Sequence, residues 1–149
     1  MKNVSFTFDI PEKEILSTDE VHFFYYDVMR DTENNIQAIY SWNDKVEKFL
    51  AEKHIKIEVL EKDTLPLDSS KNELYFSVSK NESIPLAFFR HLRNAFAHHR
   101  IKHYNDYLCI EDVQGESYTM KGLIKYQDLK GLCFLFFDQR SKFENKHNF

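Results

Sequence analysis

Residues 83–101, "SIPLAFFRHLRNAFAHHRI", constrain the fold of this chain more than any other stretch. Ser83 can cap a helix, and Pro85 then sits in the first turn, where its missing N–H does little harm. Advancing about 100° per residue from Arg93 places Phe88, Phe89, Leu92, Ala95 and Phe96 in one arc of roughly 120°. Arg90, His91, Arg93, Asn94 and His98 fall in the opposite arc. A helix with so aromatic a face must bury it against other elements. By the same angles His99 lies among the aromatics, so it is expected to be a satisfied core or semi-buried histidine.

The rest of the chain reads as a partner for that helix. With 149 residues there is room for one ordinary domain and its core. Three Gly and three Pro leave few breakers, and together with many Glu, Lys and Leu they favour helix. The net charge of −4 provides no global positive field, so any nucleic-acid contact needs a local patch. Cys109 and Cys133 stand in apolar surroundings and read as free buried thiols of a reducing compartment. "MKNVSFTFDI" alternates like a strand and lacks the apolar core of a signal peptide. The longest apolar run, "LCFLFF", is far below the roughly 20 residues a membrane span needs. A cytoplasmic protein without membrane contact is expected.

Val4, Phe6, Phe8 and Ile10 alternate, which predicts an extended arm or strand ending at Pro11. Ser17 and Glu20 have capping-box spacing, so a helix starts there. Its apolar pattern weakens at "DTENN", 31–35, and resumes through Leu50. Residues 18–53 therefore form one long helix with a polar waist, or two with a break near 33. Ile55, Ile57 and Val59 alternate; 62–72 form a connector; "ELYFSVS" fits strand or helix equally. Residues 107–126 predict a β-hairpin turning near Gln114-Gly115. A last helix carries Leu129, Leu132, Cys133, Phe136 and Phe137 toward the core.

On the polar arc of the 83–101 helix, Arg90, Asn94 and His98 follow one another at i,i+4 spacing. The Asn94 amide could then hydrogen-bond the His98 ring and fix its tautomer. Arg93 stands at the edge of the stripe, about 140° from His98, so the two cannot meet on one phosphate along an ideal helix. A second copy, joined face to face about a two-fold axis, would bring two Arg93/His98 sets together. His98, His99 and His103 could also be read as metal ligands, since His99 and His103 are four apart. However, His99 points inward on the wheel and no cysteine or carboxylate completes the set. No metal or cofactor is expected.

"RNAFAH", Arg93 to His98, is an Arg, four residues and a His, with a polar residue after the Arg. Arg140 and His147, with six residues between them, also fit an Arg, four to six residues, His spacing, but without an apolar helical frame. The first match, with its "HHRI" continuation, resembles the signature of the HEPN superfamily. It looks closest to a small stand-alone bacterial HEPN family first noted on a resistance plasmid. The resemblance implies a mainly α fold: an up-down helical bundle with a small β-hairpin between the last two helices. The whole chain, 1–149, would be one such domain, with 1–16 an extended arm and 143–149 a frayed tail.

The resemblance further implies a metal-independent endoribonuclease acting as a homodimer, a toxin or phage-defence effector with an antitoxin as a candidate partner. Arg93, Asn94 and His98 would be its catalytic residues, with RNA as substrate. Arg90, Arg100 and Lys102 are weaker candidates for RNA contacts. A non-catalytic HEPN-like dimerisation or RNA-binding module is the alternative. In one respect the chain departs from the toxins paired with nucleotidyltransferase antitoxins. Two residues after the His they carry a Tyr that accepts an AMP group; here that residue is Arg100, and Tyr104 is out of register.

Overall fold

A computed structural model describes residues 15–30, 42–60 and 72–147, with side chains described as far as Phe136 and not at Arg30. The expected alternation of 4–10, the "DTENN" break and nearly all of the 62–72 connector lie outside the described residues.

Helix α1 (Thr18–His22) opens on the expected capping box: Ser17 Oγ accepts from the Glu20 amide, and Glu20 Oε1 accepts from the Ser17 amide. It runs on as a π-helix, Phe23–Arg30. Helix α2 (Asp44–Lys53) starts afresh under its own cap, Asn43, whose Oδ1 accepts from Val46 N–H. One uninterrupted helix over 18–53 is thereby excluded.

Strands β1 (Lys56–Val59) and β2 (Glu73–Phe76) pair in parallel. Helix α3 (Ile84–Ala97) follows, capped by Ser83 Oγ on the Leu86 amide and with Pro85 in its first turn. Strands β3 (Ile101–Tyr104), β4 (Tyr107–Gln114) and β5 (Ser117–Ile124) form an antiparallel meander, and helix α4 (Tyr126–His147) closes the chain. The sheet runs β1-β2-β5-β4-β3, with β2 antiparallel to β5.

This five-stranded mixed sheet overturns the expected helical bundle. The hairpin of 107–126 is present and turns through Gly115 at φ 63°, but it is the centre of a sheet and not an appendage. The three added strands are only four residues long; alternation shows at Ile55, Ile57 and Val59 around β1, but β2 and β3 are too short for it to stand out from helical spacing. The β3–β4 turn is carried by Asn105 at φ 57° and Asp106, a two-residue connection that suits a hairpin.

On β4 and β5 the buried residues alternate: Leu108, Ile110 and Asp112, then Met120, Gly122 and Ile124. Leu74 and Phe76 of β2 are also buried. Helix α3 contacts β2 and β4 as well as the π-helix, so it is covered on two sides. Phe88 and Phe89 meet Phe136 of α4 edge to face, and Phe24 of the π-helix stacks on Phe96. Burying each such ring contributes about 1.5–3 kcal/mol.

Double coverage widens the buried arc of α3. Ala87, His91 and Ala95 are all fully buried alongside the aromatics. His91, expected on the polar face, is therefore an interior residue. What remains open to solvent is a narrow stripe that begins at Arg90 and Arg93.

Candidate active site

The motif straddles the end of α3. The helix stops at Ala97, with His98 as its cap and the His98 N–H bonded to the Asn94 carbonyl at 3.0 Å. His99 adopts a left-handed conformation, φ 59°. Its N–H bonds the Phe96 carbonyl at 3.1 Å, and Arg100 N–H bonds the Ala95 carbonyl at 2.8 Å. This pair of bonds is the Schellman ending, with histidine where glycine is common.

His98, His99 and Arg100 are all exposed. The core placement expected for His99 is overturned, because a wheel extended past Ala97 describes a helix that has already ended. His98 does face solvent, and its ring has no partner among the described residues. A groove of about 500 Å³ opens beside His99, walled by Val21, Tyr25, Met29, Phe96, His99 and Lys102. Its surface is mainly apolar.

Arg93 and Asn94 are half-buried one turn earlier. Asn94 does not hold the His98 ring. Its Oδ1 accepts from Arg93 Nη2 at 3.3 Å, and its Nδ2 donates to Asp112 Oδ2 at 3.4 Å. The same Asp112 oxygen lies 2.7 Å from His91 Nδ1. On the far side of that ring, Nε2 is 2.7 Å from the Ser77 carbonyl of the segment after β2. A polar line thus runs from the sheet through the core to Arg93.

Burial tends to raise the Asp112 carboxyl. The hydrogen bond and charge of His91, with help from the Asn94 amide, outweigh burial and hold it below the usual carboxylate range. Neither His91 nor Asp112 was among the sequence candidates. One signal was available: Asp112 continues the Leu108-Ile110 alternation, so a carboxylate stands in the buried register of β4 and requires a partner inside.

The expected RNA contacts divide. Arg90 is engaged by Glu82, with Nε donating to Oε2 at 2.7 Å and Nη2 to Oε1 at 2.9 Å. That fork lowers the Glu82 pKa against the opposing effect of burial. Arg100 is exposed, and Lys102 is half-buried on β3 at the groove. His103 is also spoken for: its Nε2 lies 2.7 Å from both carboxylate oxygens of Glu20, tying β3 to α1. Among the described residues no group of three His, Cys, Asp or Glu side chains could hold a metal ion. Among them also, no helix is long and apolar enough to cross a membrane.

Helix α3 thus carries half-buried Arg93 and Asn94 and is capped by exposed His98. Residues 22–147 match the family described as HEPN pEK499 p136. The match covers most of the chain, and the protein belongs to that family. Membership is consistent with a nuclease-like or RNA-related module. No curated protein and no solved structure matches the chain.

Proposed function

We propose that the protein is a metal-independent endoribonuclease that acts as a homodimer, in the role of a toxin or phage-defence effector in the cytoplasm. The observation that carries this reading is the solvent-facing ring of His98, without a partner among the described residues, one turn beyond a half-buried arginine in a HEPN chain.

RNA supplies its own nucleophile. The 2′-oxygen attacks the adjacent phosphorus, the bond to the 5′-oxygen breaks, and a 2′,3′-cyclic phosphate remains. His98 takes the 2′-hydroxyl proton, and a second imidazole, His98 of the other copy, returns one to the departing 5′-oxygen. Such proton transfer supplies roughly 10² to 10⁴ in rate. Arg93 faces the non-bridging oxygens, where charge builds up in the pentacoordinate state. The groove beside His99 offers an unstacked base an apolar place to lie, and Lys102 lines it with positive charge.

The product ends are the test. Total RNA incubated with the protein in EDTA should yield fragments with 2′,3′-cyclic phosphate and 5′-hydroxyl termini by mass spectrometry. Fragments with 3′-hydroxyl ends, or no fragments, would reject the reading.

The tie of Arg93 and Asn94 into the fold favours one other reading, a non-catalytic dimerisation or RNA-binding module. Analytical ultracentrifugation of Arg93→Ala separates the two. Weakened assembly with no cleavage to lose supports the module, whereas unchanged assembly with lost cleavage supports the nuclease.

A further inference from the structure

We propose that Asp112 and His91 are positioning residues that fix the direction of the Asn94 amide and through it the Arg93 guanidinium. This rests on reading Arg93 as the phosphate-binding cation of the site.

The inference comes from the polarity of the line. His91 is wholly buried, and each of its ring nitrogens lies 2.7 Å from an oxygen that can only accept, the Asp112 carboxylate and the Ser77 carbonyl. Nδ1 is therefore placed to donate to the carboxylate, and Nε2 faces the Ser77 carbonyl. Arg90 Nη2 lies 3.4 Å from Nε2. The His91 hydrogen bond, against the opposing effect of burial, helps keep Asp112 ionised in a site where the residue is 2% exposed.

An ionised carboxylate accepts and never donates. It selects one of the two flips of the Asn94 amide: nitrogen inward to Asp112, oxygen outward. The outward oxygen is the acceptor that Arg93 needs. With the opposite flip, Arg93 would meet an NH2 group, donor against donor. A buried carboxylate–histidine pair on β4 and α3 thus sets the orientation of a solvent-side arginine that touches neither member of the pair.

The line can be read by side-chain NMR on the full chain, with no RNA present. In the wild type the Arg93 and Arg90 Nε–H groups should both be ordered, and the Asn94 amide protons should exchange at least tenfold more slowly than those of exposed Asn105. Asp112→Asn, which can flip and loses the charge, should release Arg93 while Arg90, held by Glu82, keeps its order. Asn94→Ala should release Arg93 equally. Arg93 order unchanged in either variant overturns the inference. Should Asp112→Asn not fold, the wild-type exchange decides: Asn94 protons as fast as those of Asn105 overturn it too.

Cleavage by the same variants addresses the enzyme separately. If the wild type cleaves RNA, Asp112→Asn should lower kcat about tenfold with KM little changed. If the wild type cleaves nothing, the nuclease reading fails while the Arg93 result still stands or falls by itself.

Discussion

Asp112 Oδ2 lies 2.7 Å from His91 Nδ1 and 3.4 Å from Asn94 Nδ2, so a single carboxylate oxygen joins a fully buried histidine to the candidate site. This contact gives the α3–sheet interface a polar centre built on a buried carboxylate.

Stability should therefore fail in acid. Asp112 and Glu82 are both held below their ordinary carboxylate values. A carboxyl with a depressed folded-state pKa contributes stability that is present above its unfolded value, about 4, and is lost as pH falls through the folded value. The melting temperature should drop steeply below about pH 4, and the drop should be shallower in Glu82→Gln. An equal slope in that variant would show that the Glu82–Arg90 fork has no part in it.

Arg90 and its two neighbours in the patch should respond differently to substitution. Arg90→Ala breaks a forked, partly buried bond to Glu82 and should lower stability by about 1–2 kcal/mol. It should leave the salt dependence of RNA binding unchanged. Arg100→Ala or Lys102→Ala should leave stability nearly unaltered and reduce the log K against log salt slope by about 0.7 each. Fluorescence anisotropy with a short single-stranded RNA at several salt concentrations measures the slopes.

Gly122 is the point of closest approach between β5 and β2. A Cβ there would lie 2.1 Å from the Glu73 carbonyl oxygen and 2.7 Å from Leu74 Cα, both backbone atoms that cannot step aside. Gly122→Ala should destabilise by about 3 kcal/mol in urea denaturation, enough to show the β2–β5 pairing in solution. A neutral effect would contradict that pairing.

The two thiols should be inert in the native protein. Burial raises Cys133, and burial with the charge of Glu111 pushes Cys109 up to about 11. Since the thiolate is the reactive form, native protein at pH 8 should react with an aromatic disulfide reagent far more slowly than unfolded protein does. Rapid native reaction of either would show that β4 or α4 opens.

Local signals were the legible part of this fold. Ser17 with Glu20, Ser83 with Pro85, and the Gly115 turn each act over a few residues, and each element starts or turns where its residues demand. The sheet was hidden because β1, β2 and β3 are short, and β2 pairs with both β1 and β5 across long separations. Pairing partners such as Leu74 and Gly122 carry no mutual mark in one sequence. The exposure of His98 could be foreseen from the polar stripe. The burial of His91 could not, since a wheel with one apolar face does not show that a helix is covered twice. His99 went astray at the helix end, where a left-handed residue breaks the angular series.

The central claim is that the free imidazole at the end of α3 moves protons at a phosphodiester. Its most direct measure is the initial rate of RNA cleavage in EDTA by the wild type and by His98→Ala, with matched melting curves to show that both are folded. The expected result is cleavage by the wild type and a loss of at least 10² in rate in the variant, with the melting temperature unchanged. Cleavage at an undiminished rate by a folded His98→Ala protein would contradict it.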